Sequence, residues 1–151
     1  MKKENFSIAR PDLELTNLVS KVDKKILAHW AIDCSMRVLP FFEKEYPKDN
    51  RPREALKTLE AWLKTGKFSM PVIRKASLDS HAAAREVGKD VAARSAARAC
   101  GQAVATAHVK THAYGPAIYA QQAIFRATSS LEKAEEERNW QYKHLLGLIK
   151  N

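Results

Sequence analysis

Apolar side chains recur every three to four residues along most of this 151-residue chain. The clearest set, which falls on one face of a helix, is Ala55, Leu56, Leu59, Trp62 and Leu63. No segment of convincing length alternates apolar and polar residues with the period of two that a half-buried β-strand shows. The pattern therefore predicts an all-α fold.

Prolines, glycines and capping residues divide this pattern into six or seven helices. A short helix is predicted after Pro11, and a long one begins near residue 20 and kinks or restarts at Pro40. Asp49 or Asn50 is the expected cap of the next helix. The later helices are predicted from Pro52 to Gly66, from Ser69 toward Gly88, from there to about Val109, from Pro116 to about Arg126, and from Ser129 or Ser130 onward. Residues 1–10 are predicted to form an arm or tail.

Alanine is concentrated between residues 76 and 127, where it accounts for 17 of 52 positions. Alanine has the highest helix propensity, and its small side chain allows helices to approach closely. We therefore predict a single helical domain over residues 1–151, an antiparallel array with alanine-rich helices at its centre. The same flat alanine-rich faces would also permit close pairing of two copies of the chain, so a homo-oligomer is an alternative.

The composition narrows the class of protein. With 45% hydrophobic residues the chain is expected to be globular, and its two cysteines are too few for a disulfide scaffold. The longest uncharged stretch, residues 111–125, is too short to span a membrane. No secretory leader pattern or glycine-rich phosphate loop is found, so we expect a cytoplasmic protein with no membrane and no cofactor.

The chain is basic, with 26 Lys and Arg against 17 Asp and Glu and a formal net charge of +9. Such an excess is compatible with nucleic acid, an anionic membrane or an acidic protein partner. Arg85, Lys89, Arg94 and Arg98 are spaced by 4, 5 and 4 residues. They form either the solvated face of amphipathic helices or a stripe facing phosphates.

Three histidines are candidates for a polar site. His108 and His112 are four residues apart and would share a face if one helix continued through both. They would then either chelate a metal, with His81 joining from a neighbouring helix, or cap the helix C-terminus. There is no His-Glu-x-x-His motif, because position 109 is valine.

Asp33 lies on the apolar side of the first long helix. One interpretation is an ion pair with Arg37, four residues on; the other is a buried carboxylate clamped by Arg51 or Arg53 from another element. Its neighbour Cys34 lies on the predicted core stripe, which favours an inert core thiol over a catalytic nucleophile.

Several segments resemble a known family, the bacterial putative immunity proteins, which are small all-helical proteins grouped with polymorphic-toxin immunity domains. The matching pieces are Trp30-Ala-Ile-Asp-Cys34, Val38-Leu-Pro-Phe-Phe-Glu43, Arg51-Pro-Arg-Glu-Ala55, Ala96 to His108, and Glu137-Arg-Asn-Trp-Gln141. The resemblance covers roughly residues 25–145. It implies a protein that binds and neutralises a cognate toxin, and no catalytic residue is carried over from it.

The sequence thus predicts a non-catalytic, immunity-type binding protein. A basic helical module for nucleic acid is the second hypothesis, and a metal or small-ligand protein using Asp33 and the histidines is the third. The candidate polar cluster, whether structural or binding, comprises Asp33, Arg51, Arg53, His81, His108, His112 and Trp140.

Overall fold

Eight α-helices and one 3₁₀ turn make up most of residues 5–151, the part of the chain that the computed structural model describes. They are α1 (Leu13–Ser20), α2 (Lys24–Met36), α3 (Leu39–Glu45), α4 (Arg51–Thr65), α5 (Met70–Val87), α6 (Ala92–Ala105), the 3₁₀ turn (Lys110–Ala113), α7 (Tyr114–Thr128) and α8 (Leu131–Lys150). No strand occurs among these residues, and the all-α prediction is confirmed.

The helix ends follow from local sequence. The side chains of Asp12, Ser69 and Ser130 accept hydrogen bonds from backbone N–H groups in the first turns of α1, α5 and α8. Gly66 and Gly88 end α4 and α5 with φ of 68° and 75°. That left-handed conformation is accessible to glycine at little cost, so both helices end where the sequence predicts.

The predicted count of six to seven helices is too low. Pro40 lies in the first turn of a separate helix, α3, because a missing N–H is tolerated there. At the start of α4, the Asp49 carboxylate accepts from the Arg51 backbone N–H at 3.1 Å, whereas Asn50 makes no side-chain cap. Helix α6 ends at Ala105 and not near Val109.

Helix α6 lies at the centre of the fold, with α5 on one side and α7 on the other. Its buried face is formed mainly by Ala93, Ala96, Ala97, Ala99 and Ala103. Two hydroxyls of α5 donate to backbone carbonyls of α6, Ser77 to Gly101 at 2.9 Å and Ser80 to Ala97 at 2.7 Å. These pairings make α5 and α6 antiparallel, and the alanine-rich centre is as predicted.

Helix α8 packs against both α2 and α7. The Trp30 indole Nε1–H donates to the Gln141 carbonyl at 2.9 Å, and the Gln121 amide donates to the Gln141 side-chain oxygen at 2.9 Å. Helix α2 runs antiparallel to α8, since its Arg37 pairs with Glu137 and its Asp33 with His144, and the short connection at Ser129 and Ser130 turns α8 back along α7. Helices α2 and α7 therefore run in roughly the same direction where they touch, and the predicted antiparallel array is wrong in this detail.

Part of the predicted N-terminal arm packs on the helices. Residues 1–4 lie outside the described residues, while the Phe6 ring stacks on Phe125 at a centroid distance of 6.1 Å. In the described chain, no helix combines the length and the apolar character needed to cross a membrane.

Candidate functional site

Asp33 is bound by a residue that neither interpretation of the sequence named. His144 Nε2 lies 2.7 Å from its carboxylate, and the Asp33 side chain is 43% exposed. The expected partners are engaged elsewhere: Arg51 pairs with Asp49 and Glu86, and Arg53 pairs with Glu43. The prediction of a buried carboxylate clamped by Arg51 or Arg53 is therefore wrong.

Arg51 and Arg53 hold the junction between α3, α4 and α5 together. Arg51 forms a bidentate pair with Asp49 and also reaches Glu86 at the end of α5. Arg53 forms a bidentate pair with the Glu43 carboxylate at 2.6 Å. These arginines hold the pKa of Asp49 and of Glu43 below their ordinary values through side-chain hydrogen bonds.

Trp140 joins the Asp33 region through stacking. Its ring centroid lies 4.7 Å from that of the His144 ring, and the Arg37 guanidinium lies 3.8 Å from the Trp140 ring centroid. Arg37 in turn forms a bidentate pair with Glu137, which is buried. The alternative interpretation, an ion pair between Asp33 and Arg37, is thus also wrong, because Arg37 pairs with Glu137 of α8 instead.

The three histidines do not form one cluster. His108 is exposed and stacks on Phe68 at 6.1 Å, whereas His112 Nδ1 lies 3.0 Å from the Gln102 side-chain oxygen. His81 lies on α5 against Arg98. Because α6 ends at Ala105, His108 and His112 do not share a helix face, and the predicted helical chelate is wrong. Within residues 5–151, no group of three or more His, Cys, Asp or Glu is placed to hold a metal.

Cys34 and Cys100 are completely buried free thiols. Burial raises the pKa of both well above its ordinary value, and Glu137 and Asp33 raise that of Cys34 further. A thiol that resists ionisation in the core is a poor nucleophile. The prediction that Cys34 lies in the core is confirmed.

His81 is a neutral acceptor for an arginine. Its Nδ1 lies 2.8 Å from Nη1 of Arg98. A guanidinium only donates hydrogen bonds, so Nδ1 accepts and the ring proton sits on Nε2. The Nε2 edge rests on Gly101, where a β-carbon would come within 2.7 Å of it. Burial, reinforced by the nearby charges of Arg98 and Arg85, lowers the pKa of His81 to about 4.

Lowering the pH from 7 to 5 is expected to cost about 1 kcal/mol of folding free energy through His81. Its pKa is about 4 in the folded chain against an ordinary value of 6.5, so between these values only the unfolded chain binds the proton. Stability is therefore lost as the pH falls below 6.5. The figure is below the full linkage value because the ring is partly solvated.

Urea unfolding of the wild type and of His81→Asn at pH 7 and pH 5 measures this contribution. The variant has no titrating ring at position 81, and we expect it to lose less stability over this range. The carboxylates with lowered pKa act mainly below this range, since their ordinary values lie near 4. Equal losses in both proteins would contradict the prediction.

The solvent side of α5, α6 and α7 is lined by basic side chains, which we call the basic face. It comprises Arg74, His81 and Arg85 on α5, Arg94, Arg98 and Gln102 on α6, His112 on the 3₁₀ turn, and Arg126 on α7. Residues 74, 81 and 85, like 94, 98 and 102, follow helical spacing and so share one side of their helix. Of the predicted stripe, Arg85, Arg94 and Arg98 lie on this face and Lys89 lies in the α5–α6 connection, while Arg126 was not predicted.

Charge pairing divides the arginines of the basic face into two groups. Asp90 binds Arg94 at 2.9 Å and Arg126 at 3.5 Å, and its single negative charge offsets part of the positive charge of this pair. Arg74, Arg85 and Arg98, which we call the unpaired arginines, have no carboxylate partner among the described residues, which include every acidic side chain except Glu4. Their positive charge is thus not compensated within the described part of the chain.

Exposed apolar side chains lie along α5 and just before it, and α5 carries two of the unpaired arginines. Leu78 is 57% exposed and lies between His81 and Arg74 on the same side of α5, and Phe68 is 47% exposed beside His108. Val72 is also exposed, on the neighbouring side of α5. Arginine next to apolar and aromatic residues is a composition typical of protein-binding surfaces, in which lysine is depleted.

A cavity of about 660 Å³ lies on another part of the molecule, beneath the N-terminal segment. Arg138 closes one side of it and binds Asp12 at 2.9 Å and Glu14 at 2.8 Å. These contacts pin α1 to α8 and satisfy the charges around the cavity. We therefore regard this region as a structural contact of the N-terminal segment.

The fold and its basic face define an all-helical protein with a cationic surface on α5 and α6. A comparison with family models matches residues 17–148 to the family described as Imm-5 like putative immunity protein. The match covers most of the chain, and the protein belongs to this family. No curated protein and no solved structure matches the chain.

Proposed function

We propose that this protein binds and neutralises a cognate toxin without catalysis, and that the basic face is the surface that contacts the toxin. The observation that carries the proposal is the family match over residues 17–148. We also propose that it acts in the cytoplasm, since both of its thiols are free, as is usual in a reducing compartment.

The basic face supports binding to a protein because its arginines are combined with exposed apolar side chains. Arginine and aromatic residues supply a large share of binding energy at interfaces when they are desolvated by a partner. Leu78, which is largely exposed, lies one turn along α5 from the unpaired Arg74 and two turns from the unpaired Arg85. A partner that covers the unpaired arginines would bury the apolar side chains and supply the missing carboxylates.

The net charge of +9 also favours an acidic protein partner. Long-range attraction speeds the encounter with an acidic surface, and this effect weakens as salt screens it. We therefore expect the toxin surface to be acidic where it meets α5 and α6.

Charge reversal on the basic face tests the proposal. We expect Arg74→Glu/Arg85→Glu to bind the toxin at least tenfold more weakly, because the change replaces attraction with repulsion. The matched control is Lys133→Glu/Lys143→Glu, which makes the same change in net charge at two exposed positions of α8. Tagged proteins of each type are used for capture from nuclease-treated native lysate, and the captured protein is then identified.

The captured protein is next expressed in a heterologous host with each variant. The proposal predicts that it arrests growth, that the wild type and the α8 control restore growth, and that the basic-face variant does not. A captured protein without toxicity would contradict the toxin-neutralising function. Equal rescue by both variants would contradict the assignment of the surface, and recovery of nucleic acid alone would favour the nucleic-acid hypothesis instead.

A further inference from the structure

We infer that the unpaired arginines Arg98 and Arg85 form a carboxylate-binding site, which receives an acidic side chain of the partner and in which His81 positions Arg98. The inference rests on the proposed function for the identity of the partner. The chemistry of the site can be tested without that partner.

Arg98 differs from the other anchored arginines of the fold in what holds it. Arg37, Arg53 and Arg138 are each fixed by a carboxylate, respectively from Glu137, Glu43 and Asp12, so their charges are balanced within the chain. Arg98 is fixed by the neutral His81 ring at 2.8 Å. Its geometry is therefore set while its positive charge stays uncompensated.

Such an arrangement is favourable for binding an anion. A guanidinium has five N–H donors in a planar fork that matches the two oxygens of a carboxylate. The contact with His81 uses the Nη1 group of Arg98 and leaves the remaining N–H donors of this guanidinium without a partner in the described chain. An arginine ordered before binding loses less side-chain entropy when its ligand arrives.

His81 is itself fixed by the close approach of α5 to α6. The ring lies on Gly101, and the Ser77 hydroxyl bonds the Gly101 carbonyl one turn away at 2.9 Å. Arg85 lies one turn along α5 from His81, close enough for its charge to act on the ring. Two guanidinium groups thus approach the same region from α5 and α6.

The surroundings favour a short acidic segment over a nucleic-acid backbone. Asp90 lies beside Arg94, which is one turn along α6 from Arg98, and its side chain is 74% exposed. Asp90 reduces the positive charge that a polyanion running along α6 would meet, whereas a single carboxylate at Arg98 needs no contact with that part of the face. Leu78, exposed between Arg74 and Arg85, offers an apolar contact that suits an acidic side chain within a protein surface.

Fluorescein-labelled octaglutamate is the probe for the site, with binding followed by fluorescence anisotropy at low and physiological salt. We expect Arg98→Gln to weaken binding at least tenfold. The matched control is Lys143→Gln, which removes the same charge from the exposed face of α8, and we expect its affinity to stay within twofold of the wild type. Equal weakening by both changes would mean that only net charge matters and would overturn the inference.

The positioning role of His81 is tested with two substitutions. In His81→Asn, the side-chain oxygen can replace Nδ1 as the acceptor for Arg98, so we expect affinity close to wild type. In His81→Leu no acceptor remains, and we expect binding to weaken at least fivefold while circular dichroism still shows a folded helical protein. Weakening of the same size in both variants would overturn the positioning role.

Two further arms separate the possible sources of failure. If labelled octathymidylate, which has a similar charge, binds more tightly than octaglutamate with the same dependence on Arg98, the site prefers phosphate and the inference falls. If the wild type restores growth but octaglutamate does not bind, the carboxylate site falls and the proposed function stands. If octaglutamate binds through Arg98 but no toxin is neutralised, the site stands and the proposed function falls.

Discussion

Trp30→Ala is expected to lower the free energy of unfolding by about 3–5 kcal/mol. Trp30 is completely buried, and the substitution leaves a cavity at the contact of α2 with α8. It also removes the donor to the Gln141 carbonyl, the bond that ties α2 to the buried Gln141–Gln121 pair. Urea unfolding followed by circular dichroism measures the loss.

Two other tryptophan substitutions resolve the contributions to this loss. Trp30→Phe keeps much of the ring volume but removes the hydrogen bond, so we expect an intermediate loss of about 1–3 kcal/mol. Trp140→Ala removes a partly exposed ring that stacks on His144 and Arg37, and we expect a smaller loss than at Trp30. If Trp30→Ala stayed within 1 kcal/mol of the wild type, the described packing of α2 on α8 would be contradicted.

The helices of this fold could be predicted because their signals are local. Capping by Asp12 and Ser69, the left-handed glycines Gly66 and Gly88, and the restart at Pro40 each depend on a few neighbouring residues. The capping residues satisfy free backbone N–H groups, Pro40 removes one, and the two glycines adopt the left-handed conformation that ends a helix. The end of α6 at Ala105 had no such signal, because the alanines there continue the helical pattern without a glycine or proline.

The partners of the candidate site residues depend on which helices pack together, and the sequence does not contain that information locally. Asp33 pairs with His144, 111 positions away, although Arg37 was available one turn along the same helix. The residues that replaced the expected partners nonetheless had a pattern. Glu137, Trp140 and His144 follow helical spacing, so the sequence alone places them on one face of α8.

The basic face illustrates the same limit. The spacing of Arg94 and Arg98 indicated a stripe on α6, but its charge balance depends on contacts between helices. Asp90 binds both Arg94 and Arg126, whereas the neutral His81 holds Arg98. Only the packing of α5 and α7 on α6 distinguishes the arginines that share a carboxylate from those that have none, and this difference is what directs the proposed site to Arg98.

Gly101→Ala is expected to destabilise the protein by about 1–3 kcal/mol. Alanine ordinarily stabilises a helix interior relative to glycine by up to about 1 kcal/mol. At position 101, however, the new β-carbon would lie 2.7–2.9 Å from three atoms of the His81 ring. The ring must move, and its bond to Arg98 is then lost. We expect this clash to outweigh the gain in helix propensity.

Gly147→Ala is the matched control, because it makes the same substitution in the interior of α8 where a β-carbon meets nothing within 4 Å. We expect this variant to be more stable than the wild type by about 0.5–1 kcal/mol. Opposite signs at the two positions, measured by urea unfolding, would show that close packing of α5 on α6 decides the effect. Stabilisation at both would mean that the His81 ring yields freely, and octaglutamate binding by Gly101→Ala would then remain at the wild-type level. Because His81 carries Arg98 in the proposed site, we expect Gly101→Ala instead to weaken octaglutamate binding and Gly147→Ala to leave it unchanged.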